Sequence, residues 1–170
     1  MTEYRLTTSF PYLARRVGVR IGELFEQRVA TFGITVSMYR VLAVLTEQDG
    51  RRLGTLSELV SIEISTLSRL IGTMVRKGVV SRRRPAGNGR VVEISLTARG
   101  RALAAKTMPI AARCEQVAVE GLSPDDVARL KAYLATAYQN LDTLEREFEQ
   151  GADARSKPRR ALRDRAGSPA

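Results

Sequence analysis

The chain has 170 residues and carries 28 lysines and arginines against 18 acids, a formal net charge of +10. So basic a composition indicates a polyanionic partner, either a nucleic acid or an acidic membrane surface. With no histidine and one cysteine, disulfide frameworks, zinc sites built from histidine and cysteine, and histidine-activated nucleophiles are excluded. We therefore expect no enzyme, no metal site and no cofactor. The N-terminus lacks the apolar run of a signal peptide and no stretch is long enough to span a membrane, which predicts a cytoplasmic protein without a membrane partner.

The positive charge is concentrated in two segments. Residues 63–101 carry nine lysines and arginines against two acids, and residues 151–170 carry six against two. The second segment is rich in arginine, alanine, proline and serine and has almost no large apolar residues, which predicts a basic disordered tail. The tail is either a solubilising extension or a non-specific DNA arm, and the sequence leaves both open.

Two amphipathic helices are predicted at the start of the chain. Residues 12–32 place apolar side chains at helical spacing, and Gly33 supplies a stop. Thr35 is placed to cap the next helix. The apolar stripe of that helix consists of Met38, Val41, Leu42 and Leu45.

A short helix and a longer one follow with almost no connection between them. Thr55 and Glu58 have the spacing of a capping box, which predicts a helix from Thr55 to Ile62. The next helix runs from Ile64 to about Lys77, before Gly78. Because only two or three residues separate these helices, they must cross sharply, as in a helix-turn-helix.

Residues 79–84 and 90–96 are predicted to form a β-hairpin. In the second strand Val92, Ile94 and Leu96 fall on one face. The intervening residues 85–89 include Asn88-Gly89, which is strong turn chemistry. The hairpin is markedly basic, since it carries Arg82, Arg83, Arg84 and Arg90.

Two long helices are predicted to complete the fold. Thr97 caps the first, in which Pro109 is expected to introduce a kink. Ser123 and Pro124 begin the second, which is predicted to end at about Gln150. Its apolar residues repeat at spacings of three and four, a heptad seam: Val127, Leu130, Leu134, Ala137, Leu141, Leu144 and Phe148. The seam either packs within its own subunit or pairs two chains, and its unbroken repeats favour a homodimer.

The helix from Ile64 to Lys77 has the properties needed to enter the major groove of DNA. Leu67, Leu70, Ile71 and Met74 form its packing face, while small polar and basic side chains project elsewhere. Such a face is usually only solvated, but the order of short helix, tight turn, polar-faced helix and basic hairpin favours DNA binding. The candidate DNA-binding residues are Ser65, Thr66, Ser68, Arg69, Thr73, Arg76, Arg83, Arg84, Asn88 and Arg90.

These segments, in this order, resemble the MarR family of winged-helix transcriptional regulators. The resemblance covers residues 12–150 and rests on residues 39–45, Leu56-Ser57-Glu58-Leu59-Val60, residues 65–71, Lys77-Gly78-Val79-Val80, and Ile94-Ser95-Leu96-Thr97 with Gly100-Arg101. It implies a mainly α protein with a small β-hairpin. A dimerisation domain would comprise residues 1–34 and 97–150, and a winged helix-turn-helix domain residues 35–96, followed by the tail. It also implies a repressor that binds a pseudo-palindromic operator in double-stranded DNA.

The chain departs from the family pattern at two positions. Where the wing usually carries Asp-x-Arg, with the acid orienting the arginine, this sequence has Asn88-Gly89-Arg90. Asn88 offers that arginine only a neutral hydrogen bond. Ser61 occupies the turn of the helix-turn-helix, where glycine is common.

The resemblance further implies a small effector, often aromatic, bound between the dimer and DNA-binding parts. Candidate contacts are Phe10, Tyr12, Arg16, Met38 and Tyr39. Cys114 is either a redox sensor or a small buried apolar residue, and the lack of a basic partner one turn away favours the second. The alternative to a specific regulator is an architectural protein that binds nucleic acids without sequence preference, chiefly through its tail.

Overall fold

The computed structural model describes residues 4–83 and 92–156, and in the last helix it leaves out the side chains of Glu145 and of residues 149–156. The molecule is mainly helical with a small antiparallel sheet, which confirms the predicted fold class. Its elements are α1 (Phe10–Val29), α2 (Val36–Glu47), β1 (Arg51–Arg52), α3 (Leu53–Val60), α4 (Ile64–Arg76), β2 (Val80–Arg83), β3 (Glu93–Leu96), α5 (Ala98–Ala118) and α6 (Pro124–Ser156). Short 3₁₀ turns at Leu6–Thr8 and Ala30–Phe32 flank α1.

A single core joins α1 to α5 around α2. The whole apolar stripe predicted for α2 is buried, and so are Leu67, Ile71 and Met74 of α4. Ile94 and Leu96 of β3 close the core from the sheet side, as their shared face predicted. Burial of one face of α4 leaves the opposite face directed outward.

The sheet has the strand order β1-β3-β2, and both pairs are antiparallel. Val80 pairs with Leu96 and Arg83 with Glu93, so the two described hairpin strands are in register. The third strand, β1, was not predicted because it contains only Arg51 and Arg52 and has no apolar alternation. The predicted turn of residues 85–89 lies outside the described residues.

The start of α3 corrects one prediction. The helix begins at Leu53, and Arg52 precedes it without a side-chain cap. Thr55 therefore lies inside the helix and does not cap it. The reason is tertiary: β1 leads straight into α3, and the Leu53 amide donates to the Val92 carbonyl at 3.3 Å. The other predicted caps are confirmed, since Thr35, Thr97 and Ser123 accept from the amides of Met38, Gly100 and Asp126.

The chain divides after Glu120 into two compact units, the second of which contains α6. Helix α6 continues to Ser156, beyond the end predicted at Gln150. The first six residues of the predicted tail therefore belong to the helix, and residues 157–170 lie outside the description. No single described helix is long and apolar enough to cross a membrane, and α1 and α2 meet that criterion only jointly, across a bend of 84°.

Ser61, in the turn between α3 and α4, has a left-handed backbone with φ of 51°. Its amide donates to the Glu58 carbonyl at 3.2 Å, which closes the end of α3. The left-handed region costs a residue with a side chain about 1 kcal/mol or more, and glycine adopts it freely. The turn thus has the geometry that glycine supplies in related turns.

We expect Ser61→Gly to raise the free energy of unfolding by about 0.5–1 kcal/mol, because it relieves that backbone cost. Ser61→Ala removes the hydroxyl but retains the Cβ atom, and we expect no gain from it. Chemical denaturation of both variants checks this. Equal stabilities for the two variants would contradict the argument.

Candidate nucleic-acid interface

Helix α4 presents a polar and basic face to the outside of the molecule. Ser65, Thr66, Arg69 and Arg76 are exposed, and Ser68 and Thr73 are half-buried along the same helix. Ordinary helix periodicity produces this arrangement, because the apolar positions between them are committed to the core. The predicted residues of this helix are therefore brought together on one accessible surface.

Glu63 caps the N-terminus of α4. Its carboxylate accepts hydrogen bonds from the Ser65 hydroxyl, from the Ser65 amide at 2.9 Å and from the Thr66 amide at 3.0 Å. These bonds, together with nearby Arg69, lower the pKa of Glu63 to about 2. The first turn of α4 therefore carries a fixed negative charge at neutral pH, and the Ser65 hydroxyl is already engaged as a donor. This cap was not predicted from the sequence, since glutamate is an uncommon N-cap.

We expect Glu63→Gln to destabilise the protein at neutral pH, and the difference from wild type to shrink as pH falls. A carboxyl group whose pKa is lower in the folded than in the unfolded protein stabilises the fold at pH values above its unfolded pKa, which is near 4.3 for glutamate. That contribution is lost as pH decreases toward about 2. Urea unfolding between pH 2 and pH 7 measures the effect, with Glu58→Gln on the exposed surface of α3 as the control. If the difference in unfolding free energy between Glu63→Gln and wild type stayed constant from pH 2 to pH 7, the capping role of Glu63 would be contradicted.

Two arginines are held against the outer face of α4. Arg76 Nη2 donates to Thr73 Oγ1 at 2.9 Å, within the helix. Arg82, on β2, donates from Nη2 to the Ser68 carbonyl oxygen at 3.3 Å and to Ser68 Oγ at 3.2 Å. Arg82 was named in the basic run of the hairpin but not among the candidate site residues. Its contact depends on how β2 lies beside α4, which no local pattern in the sequence records.

The predicted wing is described only at its base. Arg83 is exposed at the end of β2. Arg84, Asn88 and Arg90 lie outside the described residues, so their placement stays a prediction.

Asp49 joins the base of the wing to α5. Its carboxylate accepts from the Leu96 amide at 2.8 Å and from Arg101 Nη1 at 2.9 Å. Burial raises the pKa of Asp49, but the bonds from Leu96, Arg101 and Gly50 outweigh it, and the pKa lies below its usual value. The role of Asp49 was not predictable from local sequence patterns, because Leu96 and Arg101 are distant along the chain.

The candidate effector residues are not gathered into one site. A cavity of about 1000 Å³ lies between α1 and α5, and of the five candidates only Arg16 lines it. The Arg16 guanidinium lies 5.7 Å from the ring centroid of Tyr12. Tyr39 packs edge-on against Phe25 with centroids 4.5 Å apart, Met38 is buried in the core, and Phe10 is exposed.

The wall of this cavity is apolar with a cationic margin. Leu13, Val17, Leu24 and Val117 contribute apolar surface, and each is 43% or more exposed. The charged lining residues are Arg16, Arg20, Arg28 and Arg113. Cys114 lies in the wall and is half-buried.

The seam of α6 is largely unburied. Leu130, Leu134, Leu141 and Leu144 are 40–58% exposed and Phe148 is 68% exposed, while Val127 is half-buried. Apolar residues at heptad spacing thus form an exposed stripe along α6. Such a stripe is typical of an interaction surface.

Comparison with known proteins adds the family context. A model of the MarR family matches residues 34–92, which include α2, α3, α4 and the described wing strand β2. The transcriptional repressor IacR of Pseudomonas putida is 26% identical over 136 residues, covering 79% of this chain and 81% of IacR.

Two solved structures extend the similarity to the fold. A MarR-family regulator from Silicibacter pomeroyi is 28% identical with a TM-score of 0.71, covering 84% of this chain and 94% of that one. MepR of S. aureus, solved in complex with DNA, is 25% identical with a TM-score of 0.71, covering 78% and 98%.

Proposed function

Since this chain belongs to the MarR family of DNA-binding transcriptional regulators, we propose that it is a dimeric, sequence-specific repressor that acts in the cytoplasm and without catalysis. Helix α4 enters the major groove, and the wing contacts the adjacent backbone or minor groove. The observation that carries this proposal is the outward face of α4, where Ser65, Thr66 and Arg69 are exposed beside the basic strand β2. Repression is the activity named for IacR.

Side-chain lengths support the docking of α4. Its N-terminal half presents the short residues Ser65, Thr66 and Ser68, which permit close approach to base edges. The longer Arg69 and Arg76, on the same face of the helix, reach phosphates of the DNA backbone. In the proposed complex Arg83, Arg84, Asn88 and Arg90 belong to the wing, where arginine is attracted to a narrow minor groove.

Dimerisation is supported by two apolar surfaces that remain open in one chain. The exposed seam of α6 and the apolar wall of the cavity between α1 and α5 are each too large to be left in water without cost. We propose that a second copy of the chain covers the seam of α6 and closes the open side of the cavity, and that the interior of the cavity stays available to a small ligand. A two-fold dimer places two copies of α4 in successive major grooves, with half-sites about 34–36 Å apart.

A small effector is a further part of the proposal. Arg16, Arg20, Arg28 and Arg113 line a cavity whose remaining wall is mostly apolar, a combination that suits an aryl carboxylate. Benzoate is then expected to weaken operator binding, and benzylamine, which has a similar ring and the opposite charge, is expected not to do so. Equal effects of the two compounds would argue against the cationic site.

The function is tested by selecting operators from a random pool of duplex DNA at physiological salt. We expect enrichment of a pseudo-palindrome, and we expect Arg69→Ala to lower operator affinity at least about tenfold. Lys106→Ala, on the exposed surface of α5, is the control. The alternative, an architectural protein, predicts no enrichment and loss of binding when residues 157–170 are removed. That truncation retains all of α6 and is expected to preserve specific binding.

A further inference from the structure

The contact between Arg82 and Ser68 connects the wing strand to the middle of the outward face of α4. One nitrogen, Nη2 of Arg82, donates to both the main-chain carbonyl oxygen and the hydroxyl oxygen of Ser68, at 3.3 Å and 3.2 Å. The bond to the main chain fixes the guanidinium relative to the helix axis, and the bond to Oγ fixes the side chain. Arg82 is thus bonded to the middle of α4.

This contact determines the chemical role of the Ser68 hydroxyl. A guanidinium donates hydrogen bonds, does not accept them and stays protonated in proteins. Ser68 Oγ must therefore act as the acceptor in this pair, and its own hydrogen is directed elsewhere. Within the part of the chain that the structure describes, no acceptor is bonded to that hydrogen. The adjacent positive charge also makes Oγ a weaker acceptor and a stronger donor toward any further partner.

We propose that Arg82 and Ser68 form one specificity-determining pair, in which Arg82 positions Ser68 as a hydrogen-bond donor toward a base in the major groove. A serine without such a partner accepts or donates with equal ease and discriminates poorly between bases. A serine held as a donor favours the acceptors of guanine, thymine and adenine over cytosine, which presents only its N4 donor there, because the bond from Arg82 occupies one lone pair of Oγ and weakens the other. Arg82 is a positioning residue in this scheme, and Ser68 touches the base. The inference rests on the proposed docking of α4 in the major groove.

Arg83 provides a matched control for Arg82. It is the next residue on the same strand and is also exposed. Because successive side chains of a strand point to opposite faces, Arg83 is directed away from the side on which Arg82 meets α4. An effect of Arg82 that arises only from its charge should therefore be matched by Arg83, whereas positioning of Ser68 should not.

The test repeats the operator selection with Ser68→Ala, Ser68→Thr, Arg82→Ala and Arg83→Ala. We expect Ser68→Ala and Arg82→Ala to lose base preference at the same position of each half-site, where wild type excludes cytosine. Each of these two variants should lower the ratio of operator affinity to random-DNA affinity about tenfold. The double variant should lower this ratio no further than the more severely affected single variant does. Ser68→Thr, which retains the hydroxyl, should keep the preference. Arg83→Ala removes a charge of the wing and is expected to lower affinity, but it should retain the preference at the position that Ser68 contacts.

Salt dependence separates positioning from phosphate binding. The logarithm of the binding constant falls with the logarithm of salt by about 0.9 for each neutralised phosphate. We expect Arg82→Ala to leave this slope nearly unchanged. A slope reduced by about 0.9, with operator and random DNA weakened equally, would make Arg82 a phosphate contact and overturn the proposal. If Ser68→Ala retained all the base preferences of wild type, the proposal would also be overturned. This result can be obtained even if Arg82→Ala fails to fold. If wild type enriches no sequence, the proposed function itself is wrong, which is a distinct outcome.

Discussion

Gly100→Ala is expected to destabilise the protein by about 3 kcal/mol, because the added methyl group overlaps main-chain atoms. An ideal Cβ at this position overlaps the Val79 carbonyl oxygen and lies 3.2 Å from Leu96 Cδ2. Val79 cannot move away freely, since its carbonyl oxygen accepts from the Thr97 amide at 3.2 Å. The clash therefore separates α5 from the start of the wing.

The control for this substitution is Gly54→Ala. Gly54 lies inside α3, and a Cβ there meets nothing within 4 Å. Alanine has the higher helix propensity, so we expect Gly54→Ala to be neutral or stabilising by up to about 1 kcal/mol. Thermal and urea unfolding of both variants measure the contrast. Similar stabilities for the two would show that the overlap at Gly100 is relieved at little cost.

Replacing both Leu134 and Leu141 by aspartate is expected to convert the proposed dimer to monomers. The two side chains are 43% and 58% exposed in the single chain, so its fold does not depend on their burial. In a dimer they would be covered, and burying unpaired carboxylates there is costly. We expect the dimer dissociation constant to rise at least about hundredfold, and operator affinity to fall because each monomer contacts one half-site.

Ala132→Asp with Gln139→Asp provides a charge-matched control. Both residues are exposed on α6 and lie outside the heptad seam, so they add the same charge without entering the apolar stripe. Sedimentation velocity at low protein concentration distinguishes the two double variants. Dimers that persist in the seam variant would place the interface elsewhere.

The sequence predicted most of the local structure correctly because local chemistry controls it. The apolar stripe of α2, the packing face of α4 and the caps at Thr35, Thr97 and Ser123 all depend on residues within a few positions of each other. The capping box at Thr55 was wrong because the two arginines of β1 pair with β3, and this pairing starts α3 earlier. A strand of two residues carries no periodicity from which it could be predicted.

In the candidate site, too, features that depend on local sequence were predictable and features that depend on tertiary packing were not. The polar face of α4 follows from helix periodicity, so its residues were predictable from the sequence. By contrast, the capping of Ser65 by Glu63 depends on a side-chain conformation, and the cavity between α1 and α5 depends on helix packing. The predicted effector residues were not gathered at that cavity, because Met38 and Tyr39 are used in packing instead.

The amino-acid sequence by itself determined where the positive charge lies and which helix carries a polar outward face. Both follow from residue identity and helical period, which need no knowledge of distant contacts. Only the tertiary structure decided what those charges do. Arg82 and Arg83 are adjacent and identical in the sequence, yet Arg82 is bonded to Ser68 of α4 and Arg83 is not in that contact. The physical reason is that strand alternation and the packing of β2 beside α4 assign neighbouring side chains to different surroundings.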